Sequence, residues 1–456
     1  MSLCANNLGR GLVGLTGLLL ALPAQEAGRE PSMKIYYGNR PREEKDCKIA
    51  KWGPRGLPSP AMAFHAAKIV TCEGDPIEDG VLLCKDGLIT AVGKWGKVEI
   101  PKDYEIKDVG ESWLVPGFVD LHCHVAENGF DLNDTVHATN PEFRTMDLIT
   151  LNHPQIKNGL AGGVTSVLFI PGSGSNMGGF GTLTKTWGDP REAMIRFPGS
   201  LKIAQAGNPE RMSGDLGMTR MGMNQGLRFT LERGRKYYQA WEDFDAGKGQ
   251  KPEFKPDLEY LRGLFRHEYP VSVHTQIYQV VLQTFRQLRL EFGLWTFVDH
   301  GEFDAYRMSG FAADIGVPIV AGPRSYHFDR AQSKFLGLME SWYSPGVKGW
   351  LATVKGVGRD GIAVNTDSPV VPQEQLTLQC AIGVRLGLPD EVGILALTIN
   401  PARISGIDHR VGSLKVGKDA DFGVWTGDPI DPRNHTETMV VSGRIAYTRD
   451  PRRPRW

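Results

Sequence analysis

Through the middle of the chain, short apolar runs rich in β-branched residues alternate with polar and amphipathic stretches. The first is LVPGFVDLHCHV, residues 114–125. AGGVTSVLFI (161–170), GFGTLTKTW (179–187), SLKIAQAG (200–207) and YPVSVHT (269–275) follow. LWTFVDH (294–300), GVPIVAG (316–322) and GIAVNTD (361–367) complete the series. Runs of this length and composition predict buried strands. Several are separated by segments of helical periodicity, such as QIYQVVLQTFRQLRLEFG (276–293) and FDAYRMSGFAADIG (303–316). Repeated strand–helix units predict an α/β protein with a parallel sheet. Eight such strands predict closure into a (β/α)8, TIM-like barrel over residues 113–405. The step from the second run to the third is too short for a helix. Residues 208–268, with the charged helix-like LRFTLERGRKYYQAWEDFDAG, read as an insertion before the fifth strand, a lid or an interface.

The two ends of the chain have a different texture. Residues 63–112 hold short β-like runs broken by turns, among them GVLLCKDGLITAVG with Asp86-Gly87 as a hairpin turn. The same texture returns over 406–450, in GSLKVGKDADFGVWTG and TMVVSGRIAY. Each piece is too small for its own core, so the two are expected to fold together as one β subdomain. Residues 28–62 lack periodicity and read as an extended arm. Ahead of them, residues 1–27 combine Arg10, the apolar run Leu12 to Leu22 and a small-residue exit, the pattern of a signal peptide. Export to the periplasm or the exterior is the expectation, with a cytoplasmic protein as the alternative. That run is too short for a stable membrane span.

Charge narrows the partners. The 52 basic and 52 acidic residues balance, so nothing suggests a nucleic-acid or polyanion partner, and the expected partner is a small-molecule substrate. Six scattered cysteines include no CxxC pair, so no zinc ribbon or thioredoxin-like site is indicated. Cys72 and Cys84 could pair across adjacent strands; ordinary buried thiols are the simpler reading.

Chemistry collects at the ends of the predicted strands. Alternation puts His122 and His124 on one face of the first strand, with Cys123 on the other. The fifth run ends at His274, the sixth at His300 and the eighth at Asp367. In a barrel of this kind the strand C-termini converge on one face. Burying that many titratable groups without partners is costly. Imidazoles and a carboxylate in one place suit one or two divalent cations, zinc first. Two cations also need an anionic bridge. Lys202 is the first candidate, because a buried neutral amine can take up carbon dioxide as a carbamate, giving a carboxylated lysine. Lys185 is the alternative. Arginines in loops after the strands, Arg324 (with Tyr326 and His327) and Arg211 or Arg220, could grip a substrate carboxylate or simply tie loops together.

PGFVDLHCHV, the separated VSVHT and VDHGE segments, NTDSPV and the tail NPARISGIDHRVGSLKVGKDADFGVW resemble the amidohydrolase superfamily over roughly residues 63–450. PGSGSNMGGFGTLTK, AGNPER and TRMG are similar to its imidazolonepropionase-like group of metal-dependent hydrolases. The resemblance implies a barrel with a β-sandwich built from both chain ends, one or two divalent metals, and homo-oligomers in many members. It also implies hydrolysis of amide, cyclic amide or related C–N bonds, as in a dipeptide or N-acyl amino acid. His122, His124, His274, His300 and Asp367 match the family's ligands, and Lys202 matches the fourth-strand lysine of binuclear members. On this pattern a metal-bound hydroxide attacks the carbonyl carbon, while Asp367 serves as general base and then acid. Gln276 and Ser368 stand where many members carry histidine. The rival expectations are a mononuclear deaminase of a heterocycle and a catalytically silent exported binding protein.

Overall fold

The computed structural model describes residues 54–125, 129–134, 136–205, 207–210, 219–301, 303–322 and 353–452, and every structural statement below concerns these. Residues 1–27, where a signal peptide is expected, most of the arm, Arg211, Arg324, Tyr326 and His327 lie outside them.

Strands from both ends of the chain share one sheet. Its first members are β1 (Met62–Ile69), β2 (Ile77–Lys85), β3 (Leu88–Lys94), β4 (Glu105–Asp108) and β5 (Trp113–Pro116). Next in the chain come β6 (Phe118–Cys123), β7 (Val164–Phe169), β8 (Met177–Phe180), β9 (Thr182–Lys185), β10 (Met194–Arg196) and β11 (Leu201–Ala204). Then come β12 (Val271–His274), β13 (Thr296–Asp299), β14 (Ile319–Ala321) and β15 (Ile362–Val364). The last three, β16 (Phe422–Trp425), β17 (Thr436–Val441) and β18 (Arg444–Thr448), return to the first sheet. Its order is β18-β17-β16-β5-β1-β2-β3, with β4 paired to β1. Phe64 and Phe422 meet edge to face in its core, with ring centroids 5.0 Å apart.

The apolar run from Leu114 divides at Gly117, so it is two strands rather than one. A Cβ at Gly117 would stand 2.1 Å from Thr165 Oγ1. Only glycine lets the backbone turn there from the terminal sheet into β6.

The central strands form two sheets, β10-β9-β7-β6 and β15-β14-β13-β12-β11-β8. From β11 to β15 every neighbouring pair is parallel, and β6 is parallel to β7. The expected third strand, 179–187, is corrected. It is broken into β8 and β9, which run antiparallel to β11 and β7 respectively. Only residues 170–176 join β7 to β8. A parallel crossover needs about a dozen residues or more, so this short link forces reversal. The chain between β8 and β9 ties the sheets on one side, where Gly181 N donates to Ser200 O at 2.8 Å. On the other side a parallel bridge pairs Cys123 with Ser368.

Helices lie between the strands. Pro154–Ala161 connects β6 to β7, and Arg220–Asp245 with Pro256–Phe265 fills the insertion before β12. The segment after β12 is α-helical over Tyr278–Thr284 and π-helical over Phe285–Glu291. Val119, Leu121, Leu168, Leu183, Phe297, Val320 and Ala363 pack with Ala402, Ile404 and Ile407 in one buried cluster. That cluster draws on strands of both central sheets. Each valine, leucine, isoleucine or phenylalanine among them contributes roughly 1.5–3 kcal/mol by leaving water. Among the described residues no helix is long and apolar enough to cross a membrane. Cys72, Cys84, Cys123 and Cys380 are all free thiols.

Candidate functional site

Five separate strands deliver the polar side chains of one cluster. All six residues of β6 are buried. Strand alternation turns His122 and His124 into the same space, with ring centroids 4.7 Å apart. Lys202 lies within β11, His274 ends β12, and His300 follows β13 directly. Asp367 stands just past β15. Both His300 and Asp367 have left-handed backbone, with φ of 61° and 51°. Such conformations are uncommon outside glycine and collect where a side chain must be aimed.

His122 Nε2 is the centre of the cluster. It lies 2.9 Å from His124 Nε2, 3.1 Å from Lys202 Nζ and 3.3 Å from Asp367 Oδ1. His124 Nε2 is 3.2 Å from the same carboxylate oxygen. His300 Nε2 sits 2.8 Å from His274 Nδ1 and 4.0 Å from Asp367 Oδ2. Backbone carbonyls set two of the rings: His124 Nδ1 donates to Ile170 O and His300 Nδ1 to Gly322 O, each at 2.9 Å. With a proton held on Nδ1, each ring points its Nε2 inward. His122 Nδ1 lies 3.1 Å from Asp299 Oδ2, without hydrogen-bond alignment. Both Asp299 oxygens and His274 Nε2 are buried with no hydrogen-bond partner among the described residues.

Lone pairs and a carboxylate therefore converge with Lys202 as their main donor. Neutral imidazoles facing each other across 2.9 Å repel unless a proton or cation lies between them. The donor set, nitrogen and carboxylate oxygen, fits a divalent transition metal. His122, His300 and Asp367 offer ligand atoms that all lie within 4.8 Å of one another.

Electrostatics favour the same state. Burial, reinforced by Lys202, pushes His122 well below the ordinary imidazole range. Burial and the neighbouring His300 do the same to His274. Burial also lowers His300, against the opposing pull of Asp367. Burial pushes the Lys202 amine down to about 8. Burial alone would raise Asp367, but a proton on the neighbouring His122, His124 or His300 ring holds it below the usual carboxylate range. Neutral imidazoles, an ionised carboxylate and an easily neutralised amine are the forms that ligate metals. Asp367 and His124 keep 15% and 12% of their side chains exposed while His122 is fully buried, so substrate would approach from their side.

Lys185 is not part of this cluster. Its Nζ lies 2.8 Å from Asp419 Oδ2 and 3.0 Å from Asp421 Oδ2, joining β9 to the terminal sheet. The alternative bridging assignment is therefore corrected: Lys202, not Lys185, stands beside the histidines. Arg220 pairs with Glu210 at 2.8 Å instead of standing free. Sequence reasoning passed over Asp120 and Asp299, each fully buried against the cluster's backbone or rings. Burial raises both carboxyls to about 6. The signal was present, since each acid stands in an apolar run just ahead of a candidate ligand.

Comparison with known proteins places the chain. The Amidohydrolase family model matches residues 371–448. An amidohydrolase from Thermotoga maritima MSB8 superposes with a TM-score of 0.75 and 30% identity, covering 85% of this chain and 100% of that one. The amidohydrolase tasK of Hapsidospora irregularis is 27% identical over 386 residues, 77% of this chain and 38% of that one. This chain thus spans little more than a third of tasK's length. The imidazolonepropionase of Brucella abortus (strain S19) is 26% identical over 405 residues, 80% of this chain and 92% of that protein. Fold and site define an α/β protein of hydrolase type with a candidate divalent-cation centre. The chain belongs to the amidohydrolase family, whose members generally use divalent metals.

Proposed function

We propose that the chain is a metal-dependent hydrolase that breaks the C–N bond of an amide or cyclic amide in a small molecule. Dipeptides and N-acyl amino acids are the first substrate classes, and the scaffold is a closed TIM-like barrel whose third strand–helix unit is replaced by the reversed strands β8 and β9. His122, His124, His274, His300 and Asp367 would hold one or two divalent cations. Lys202 would bridge them as a carbamate: its neutral amine forms an N–C bond to carbon dioxide and releases one proton. When bound, such cations acidify water and polarise a carbonyl.

The chain's own groups do the rest. Asp367 takes a proton from the attacking water at a carboxylate oxygen and returns it to the leaving nitrogen, base first and acid second. Its partial exposure lets it reach both substrate and solvent. The imidazoles of His122, His274 and His300, lowered by burial, do not compete for that proton. One observation carries the reading. Nε2 atoms of two histidines, a carboxylate oxygen and a lysine amine from three strands meet within 3.3 Å.

The test is metal analysis of the purified chain, coupled to hydrolysis of dipeptide, N-acyl amino acid and cyclic amide panels. Bound metal with amide cleavage supports it; a chain that binds no divalent metal and cleaves nothing sinks it. The compactness of His122, His300 and Asp367 favours one second reading, a single-ion site of deaminase type. One metal equivalent per chain, with ammonia released from a heterocycle, would select it.

A further inference from the structure

Asp120 is a fully buried carboxylate that the proposed chemistry does not use. It receives four donors, none of them a cation. Oδ1 accepts from His122 N at 3.1 Å and Thr366 N at 3.4 Å. Oδ2 accepts from Thr366 Oγ1 at 2.5 Å and Gln373 Nε2 at 3.4 Å. The Thr366 hydroxyl in turn accepts from Ser368 N at 3.1 Å. Ser368 O takes the amide of His124 at 2.7 Å. The first strand's Asp120, His122 and His124 are thus each bound, directly or through one step, to the turn 366–368. That turn carries Asp367 with its φ of 51°. A left-handed non-glycine residue is strained and persists where its surroundings fix it.

We propose that Asp120 and Thr366 form a clasp that sets the spacing between His122 and Asp367, which makes both of them positioning residues. The inference rests on the metal-site reading given above. The clasp joins strands far apart in the chain at the point where their ligand atoms lie 3.3 Å apart. It fixes the residues on either side of Asp367 while leaving the Asp367 carboxylate free for cation and substrate. A carboxylate serves here because it alone can accept from two backbone amides, a hydroxyl and an amide side chain together. Loss of such support around metal ligands typically weakens metal binding about 10–100-fold.

The test uses the full chain, zinc as the probe, and Thr366→Val, Thr366→Ser and Asp120→Asn. Zinc affinity is read by competition with a chromophoric chelator, and the zinc-induced rise in Tm is measured beside it. Thr366→Val, which keeps the shape and loses the hydroxyl, should weaken zinc binding about tenfold or more and shrink the Tm increment. Thr366→Ser should restore both to within about threefold of the parent on the same scale. Asp120→Asn keeps shape but loses acceptor capacity, and should weaken zinc binding even if Thr366→Val fails to fold. A merely structural role would lower the Tm of metal-free and zinc-loaded protein equally and leave affinity alone. Wild-type zinc affinity in Thr366→Val or Asp120→Asn would overturn the clasp, as would a Thr366→Ser loss equal to that of valine. A parent chain with no zinc affinity would instead overturn the metal-site reading, so the two failures are distinct.

Discussion

Two buried clusters of charge, each built around a lysine, differ in how donors and acceptors balance. Around Lys185 each carboxylate, Asp419 and Asp421, has a cation within 3.0 Å. Lys185, Arg410 and Arg55 each lie 2.8 Å from an oxygen of Asp419, and Lys185 also donates to Ser442 at 2.7 Å. Around Lys202 acceptors are in excess: imidazole lone pairs and the Asp367 carboxylate face one another with a single amine between them. The first cluster is closed and braces β9 to the terminal sheet. The second is complete only with added positive charge. Buried ionisable residues alone do not mark a site; an uncompensated surplus of ligand atoms does.

Substitutions can break that contrast. The largest effect is expected from Asp367→Asn, which should lower turnover of any amide substrate by about 10²–10⁴-fold while most bound metal remains. Steady-state kinetics with metal analysis checks this, and full turnover would remove Asp367 from its proton-carrying role. Lys185→Met should leave zinc affinity intact yet destabilise the fold by roughly 3–5 kcal/mol, because Asp419 and Asp421 lose a buried counter-charge. Lys202→Met should do the reverse, lowering metal stoichiometry with little loss of stability. Urea unfolding and zinc titration of the pair make the comparison; parallel behaviour would erase the distinction between the clusters.

The brace also has a pH signature. Burial, with Arg410 and Arg55 close by, pushes His409 down to about 4. Between that value and the ordinary one near 6.5, the unfolded chain binds a proton that the native chain refuses. Stability is therefore full above that window and falls as pH drops through it, by up to roughly 3 kcal/mol. Unfolding curves of His409→Gln should be flatter across the same window; an unchanged slope would exclude His409 as the source. The smallest effect is expected at Asp299, whose carboxylate faces His122 Nδ1 at 3.1 Å. Asp299→Asn should weaken zinc binding about tenfold, readable by chelator competition.

Much of this was legible in the chain. Apolar-rich runs of seven to twelve residues located the central strands, and alternation in FVDLHCH put two imidazoles on one face. The strand reversal at β8 and β9 was hidden, because GFGTLTKTW has strand texture whichever way it runs. Only the length of the preceding link decides its direction. Gly117 interrupts an otherwise continuous apolar run, and its steric reason lies in Thr165, far along the chain. Lys185 and Lys202 each lie in a short buried strand, and local pattern cannot separate them. Asp421, one partner of Lys185, is 236 residues away. Asp120 and Asp299 were marked in the sequence only by their place in apolar runs; their roles depend on a turn and a ring supplied by other strands.

Zinc titration of the metal-free full chain beside His122→Ala tests the central claim most directly. The account predicts tight binding of one or two equivalents by the parent and its collapse in the variant, since His122 Nε2 lies against His124, Lys202 and Asp367. Equal zinc binding by both proteins, or none by the parent, would contradict it.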